Sequence, residues 1–164
     1  MVIDSALRIA AATKADVPVI FGMIKALADY EKMADEVVAT EAGLRDVLFG
    51  PRPAAEVVIG YVGDEAAGIA IFFPNFSTFL GRPGLYLEDL FVYPKWRGKG
   101  LGRMLLSHLA RIAVDRGYGR MEWSVLDWNE PAIGFYRSLG AQAMDEWTVH
   151  RLAGDSLRTL AARS

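Results

Sequence analysis

The sequence predicts an α/β fold, a mixed sheet flanked by helices, on three observations. Short apolar runs and amphipathic segments alternate in the order β-α-α-β-β-β-α-β-α-β. One run, 85–92, is apolar on both faces apart from an acid pair, as a central strand covered on both sides requires. Apolar residues make up 52% of the 164 and charged residues 23%, which suffices for the packed core of one domain spanning 1–164.

Each element has a local reason. Residues 7–12 read as the first strand. Asp16 stands where a side chain caps a helix, and Pro18 falls in the first turn, where its missing N–H costs nothing. Val17, Ile20, Phe21, Ile24, Leu27 and Ala28 then recur at helical spacing as far as Glu31. Thr40 precedes a shorter helix with Leu44, Val47 and Leu48, closed by Gly50-Pro51. The runs 57–62 and 67–73, split by Gly63-Asp64-Glu65, read as a hairpin. Residues 74–84 read as a loop, and Pro94 stops the strand that follows. Leu101, Met104, Leu105, Leu109, Ile112 and Ala113 form the apolar stripe of the clearest helix, 101–116, which Gly117 ends. A strand is expected at 121–126. Asn129 then caps a helix with Pro131 in its first turn and Gly140 beyond its end. Residues 143–152 read as one strand, or two broken near Asp145, and 155–162 as a terminal helix.

Composition closes several chemistries. Without cysteine there is no disulfide, thiolate metal site or cysteine nucleophile. His108 and His150 are the only histidines, which argues against a histidine-rich metal site, so no metal is expected. A net charge of −2 argues against a nucleic-acid partner. No apolar run reaches membrane-spanning length and 1–12 is unlike a signal peptide, so a cytoplasmic protein without a membrane partner is expected.

The stretch Arg97-Gly98-Lys99-Gly100-Leu101-Gly102 joins the 85–92 strand to the 101–116 helix. Alternating glycines let a backbone approach a bound group closely, and free amides at a helix start favour an anion. The stretch lacks the Gly-Lys-Ser/Thr end of a nucleoside-triphosphate loop, and Arg103 stands where a dinucleotide fingerprint needs its third glycine. The plainer reading is a glycine-rich turn. Against it, Arg97, Lys99 and Arg103 set three cations where a pyrophosphate needs them.

The pattern Arg97-x-x-Gly100-x-Gly102 after an apolar strand resembles the acyl-coenzyme A loop of the GNAT superfamily of N-acetyltransferases. Tyr86-Leu87-Glu88-Asp89, Trp128-Asn129-Glu130-Pro131 and Phe135-Tyr136-Arg137-x-x-Gly140-Ala141 look like its diamine acetyltransferase branch, which includes spermidine/spermine and thialysine acetyltransferases. So does Leu27-Ala28-Asp29-Tyr30-Glu31 followed by the Thr40-Glu41 helix start. The similarity runs to about Leu152. It implies a mixed, mostly antiparallel central sheet flanked by helices and splayed at the acyl-CoA site. It also implies acetyl-CoA as acetyl donor and a homodimer. The donor's pyrophosphate then falls to amides of Gly98, Lys99, Gly100, Leu101, Gly102 and Arg103, with Arg97 leading the loop, and its pantetheine arm to the backbone of Leu90, Phe91 and Val92. Asn129, Glu130, Pro131 and Ala132 touch the coenzyme at the start of the next helix.

In a regular strand Leu85, Leu87, Asp89 and Phe91 share one face and Tyr86, Glu88, Leu90 and Val92 the other. Burying either acid without a partner costs several kcal/mol, on the order of an unpaired ion. A primary ammonium must lose a proton before it attacks a thioester, and Glu88 can accept it, directly or through water. The resemblance implies the same role. Asp89 either organises a loop through a partner or belongs to the amine site. Tyr136, on a helical face with Ala132, Ile133 and Leu139, is either a core residue or, as the resemblance implies, the acid that protonates the departing sulfur.

Tyr30 and Glu31 are either a solvated helix end or, by resemblance, part of the amine site, where an aromatic face and an acid suit a cation. Glu122 is a further candidate of that kind. The spermidine/spermine type carries an acid near Ser77 that this chain lacks, and Ser77-Thr78 looks closer to the thialysine branch. The expected reaction is acetyl transfer to the primary amine of a small diamine or lysine-like molecule. The rival readings are acetylation of a protein amino terminus or lysine, and a non-catalytic coenzyme A-binding sensor.

Overall fold

A computed structural model describes residues 6–163. Five strands hydrogen-bond in chain order: β1 (Leu7–Ala11), β2 (Glu56–Val62), β3 (Glu65–Ser77), β4 (Arg82–Val92) and β5 (Met121–Trp123). The first four are antiparallel and β5 joins β4 in parallel, so the sheet is mixed and open. The helices are α1 (Val17–Tyr30), α2 (Glu41–Phe49), α3 (Leu101–Asp115), α4 (Glu130–Ser138) and α5 (Gly154–Ala161). The chain forms two compact units. One, ending at Ser124, holds the sheet and α1–α3; the other, from Val125, holds α4 and α5.

In the first unit the sheet is covered on both faces. Ile20 and Met23 of α1 and Leu48 of α2 pack on Val57, Ile59, Ile69, Ile71 and Phe91. On the other face, Leu101 of α3 is seated against two glycines. A Cβ at Gly60 would lie 2.8 Å from its Cδ1, and one at Gly68 would lie 3.3 Å from its Cδ2 and 2.9 Å from the Phe91 carbonyl oxygen. Small residues at those two positions thus bring the first residue of α3 down onto the sheet and fix where that helix starts.

Four expectations are corrected. The loop expected at 74–84 is mostly strand: Phe73 to Ser77 pair with Tyr86 to Arg82. Pro74 is tolerated because β2 pairs with β3 only as far as Phe72, so the missing N–H falls beyond that ladder. The strand expected at 121–126 stops at Trp123, since only Met121–Trp123 meet β4. Residues 143–152 form no strand among the described residues, and Trp147 and Val149 are about four-fifths exposed. Alternation does not make a strand without a neighbour to take its hydrogen bonds. Finally, the Asp16 carboxylate does not cap α1; it accepts the Thr13 N–H at 2.7 Å and closes the short turn before the helix. Thr40 does cap α2, its Oγ1 accepting the Gly43 N–H at 3.0 Å.

Candidate active site

The glycine loop ends at α3, and Gly100 occupies the cap position before that helix without a side chain to satisfy it. The first intrahelical bond runs from the Met104 N–H to the Gly100 carbonyl, so the amides of Leu101, Gly102 and Arg103 begin the helix as donors. Gly98 and Gly100 have φ of 77° and 89°, the left-handed region that glycine alone enters freely. Gly102 differs: its φ is ordinary, and a Cβ there would meet no atom of the chain within 4 Å. Glycine costs a helix about 0.5–1 kcal/mol relative to alanine. No described atom of the chain therefore requires glycine at 102.

The strand that feeds this loop is irregular where the acids stand. Ile71 pairs with Asp89 but Phe72 pairs with Leu87, so Glu88 is the extra residue of a β-bulge. The expected face assignment changes with it. Asp89 shares a face with Phe91, Ile69 and Ile71, toward α1, whereas Leu87 follows Phe72 on the α3 face. Glu88 is exposed rather than buried, and Asp89 is half-buried. The sheet also opens here: β5 pairs with Leu85–Leu87 only, so Leu90, Phe91 and Val92 have β3 on one side and no β5 residue on the other. A bulge and an open flank in the same few residues make β4 an available edge for another backbone.

Burial, with the charges of Glu88 and Glu31 adding to it, pushes the Asp89 carboxyl up from 3.8 to about 6. Burial also pushes the Glu31 carboxyl up from its ordinary value. Among the described residues no cation pairs with Asp89. Glu31, beside Tyr30 at the end of α1, is close enough for its charge to act on the Asp89 carboxyl, so the two acids, far apart in sequence, share one electrostatic neighbourhood. Arg97 is there too: its Nε donates to the Val92 carbonyl at 2.8 Å, and its guanidinium lies 4.7 Å from the Tyr30 ring centre and 5.5 Å from that of Phe91.

Glu122 is engaged within the sheet, its Oε1 accepting from Asn75 Nδ2 at 3.3 Å and lying 3.4 Å from Arg120 Nε. An incoming amine would have to compete with Arg120 for it. In the second unit Asn129 caps α4 as expected, its Oδ1 accepting the Ala132 N–H at 3.4 Å. Glu130 and Pro131 follow in the first turn, and Tyr136, half-buried on the same helix, lies 5.7 Å from Phe135 between ring centres. No group of three or more acids and histidines able to hold a metal occurs among the described residues. No described helix is long and apolar enough to cross a membrane. The sequence reading missed the bulge, whose trace is two adjacent acids in an otherwise apolar strand. It also missed the engagement of Arg97 with Tyr30, which no spacing announces.

The family model that matches the chain, over residues 23–141, is the acetyltransferase (GNAT) family. Among characterised relatives, the L-ornithine N5-acetyltransferase of Arabidopsis thaliana is 34% identical, the match covering 93% of this chain and 87% of that protein. The thialysine N-epsilon-acetyltransferase of Bos taurus is also 34% identical, over 88% of this chain and 91% of its own length. Among solved structures, an integron cassette protein from the mobile metagenome of V. cholerae superposes with a TM-score of 0.79 at 28% identity, covering 95% of this chain and 98% of that one.

Proposed function

The chain belongs to the acetyltransferase (GNAT) family and is an N-acetyltransferase; from that premise we propose that it moves acetyl from acetyl-CoA to the primary amine of a small diamine or lysine-like molecule. One observation carries the acceptor half. Asp89 shares one electrostatic neighbourhood with Glu31, which follows the aromatic ring of Tyr30, with no cation paired to Asp89 among the described residues, and such a pair of acids suits an alkylammonium group. The relatives that act on ornithine and thialysine, both amino acids with a side-chain amine, support the same choice.

The donor half rests on the loop. Amides from Gly98 to Arg103 would hold the pyrophosphate, with Lys99 and Arg103 adding positive charge, and the open Gly102 fits a close approach. The side of β4 that β5 leaves unpaired at Leu90, Phe91 and Val92 would take the pantetheine amides as a strand would, with the Val92 carbonyl already accepting from Arg97. Acetyl-CoA, when bound, supplies an acetyl group activated as a thioester. Glu88, exposed at the bulge, accepts the proton that the substrate ammonium gives up, directly or through one water. Tyr136 would give its phenolic proton to the sulfur as the amine nitrogen forms its bond to the acetyl carbon and the carbon–sulfur bond breaks, and the first turn of α4, from Asn129 to Ala132, would supply coenzyme contacts. The family match crosses from the first unit into the second, which supports reading 1–164 as one catalytic domain.

The test is release of free thiol from acetyl-CoA against diamines, ornithine, lysine analogues and peptides. Turnover on small amines is expected. Turnover on peptides alone would make the chain a protein modifier, and binding without turnover on every amine would make it a sensor. Light scattering on the same preparation tests the expected homodimer.

A further inference from the structure

We propose that Arg97 is a positioning residue that ties the donor loop to the amine-binding end of α1, and that its side chain does not bind the donor's phosphates. The inference rests on the function proposed above and on three contacts of the Arg97 side chain. Arg97 opens the glycine loop, yet its side chain turns back from it. Nε donates to the Val92 carbonyl at 2.8 Å, which fixes the guanidinium at the end of β4. The group then lies against two rings, Tyr30 at 4.7 Å and Phe91 at 5.5 Å.

Only a planar, delocalised cation meets all three demands together, with an in-plane N–H for a carbonyl and a face for aromatic rings. Lysine offers a point charge and no plane. The three contacts come from two elements: Phe91 and Val92 end β4, the strand that feeds the loop, and Tyr30 ends the helix that leads into Glu31. Displacing Arg97 therefore removes one of the contacts that hold Tyr30 beside Glu31. The effect falls on the acceptor, while the loop amides keep their own geometry from Gly98 and Gly100.

The experiment compares Arg97→Ala, Arg97→Lys and Arg97→Gln with the wild type, using acetyl-CoA and acetyl-pantetheine, a thioester donor without phosphate. The amine KM is expected to rise roughly fivefold or more in all three variants, while the acetyl-CoA KM changes less than about twofold. Lysine does not rescue, and the deficit is the same with the phosphate-free donor. In a Tyr30→Leu background Arg97→Ala adds little to the amine KM, because the contact that links Arg97 to the end of α1 is already gone. The proposal is overturned if the variants raise the acetyl-CoA KM and spare the amine, if the deficit vanishes with acetyl-pantetheine, or if Arg97→Lys restores activity. Calorimetric binding of acetyl-CoA decides independently of turnover: unchanged affinity in Arg97→Ala supports positioning, and a roughly tenfold loss overturns it. A wild type that turns over no amine would sink the functional reading and leave that binding comparison to judge Arg97.

Discussion

Replacing Asp89 by asparagine is expected to stabilise the protein while weakening its hold on the amine. The Asp89 carboxyl titrates at about 6 in the folded chain against 3.8 in the ordinary state, chiefly through burial and then through Glu88 and Glu31. Because the folded value lies above the unfolded one, the folded chain keeps a proton that the unfolded chain releases, and stability falls as pH rises through that window. Above it the penalty is constant, at about 1.4 kcal/mol per pH unit or about 3 kcal/mol in all. The asparagine side chain carries no charge and has nearly the same shape, so Asp89→Asn escapes that penalty at roughly pH 8 and melts roughly 6–12 °C higher. Near the unfolded value of 3.8 and below, both states of the wild type bind the proton and the advantage fades. In thiol-release assays the amine KM rises roughly 10- to 100-fold, the loss of one charge-assisted contact worth about 1.5–3 kcal/mol. Thermal unfolding of both proteins at alkaline and acid pH, with amine kinetics at the alkaline one, checks all three. No gain in melting temperature at alkaline pH would refute the reasoning, as would a gain that persists undiminished in acid.

Gly102→Leu meets open space in the fold and improves helix propensity, so stability is expected to hold or rise by up to about 1 kcal/mol while the acetyl-CoA KM rises roughly tenfold or more. An unchanged donor KM would leave Gly102 without a reason. Glu88→Gln should lower turnover by roughly 10²-fold or more with acetyl-CoA affinity intact, and a pH profile identical to the wild type would remove Glu88 as the base. Tyr136→Phe should likewise depress turnover on the order of 10²-fold with normal unfolding, and full activity would return Tyr136 to a packing role. Glu56→Gln breaks the paired bonds of 2.7 and 2.8 Å from Arg116 that hold the Glu56 carboxyl below its usual range. The small stability those bonds lend is present at neutral pH and lost as pH falls, so in thermal unfolding the variant should match the wild type in acid.

What the sequence revealed was local chemistry. The cap at Asn129, the helix that follows Thr40 and the stripe of α3 each depend on residues within a few positions of one another, and each formed as read. What it concealed depends on distant partners. Pro74 and the glycines at 81 and 84 punctuate a loop in sequence, yet pairing with β4 carries β3 through to Ser77. The alternating apolar residues of 143–152 look like a strand, yet among the described residues no neighbour takes up their hydrogen bonds. The electrostatic neighbourhood of Glu31 and Asp89 joins positions separated by two strands and a helix.

The bulge at Glu88 shows how far one residue reaches. In a regular strand Asp89 would share one face with Leu85, Leu87 and Phe91 alike, so that face could not part into an α3 side and an α1 side. The extra residue turns Asp89 to the α1 side, where Phe91 lies and where Glu31 adds its charge, and it leaves Glu88 exposed. Two adjacent acids thereby serve different ends: one is exposed to take a proton, the other half-buried and strained electrostatically beside an aromatic helix end. The half-buried acid destabilises the fold by about as much as a good ion pair would return, so an alkylammonium arriving there relieves a cost already borne by the folded chain. Binding and stability are then coupled with a definite sign. A substrate amine should raise the melting temperature of the wild type more than that of Asp89→Asn, and equal shifts would separate the acid from the amine altogether.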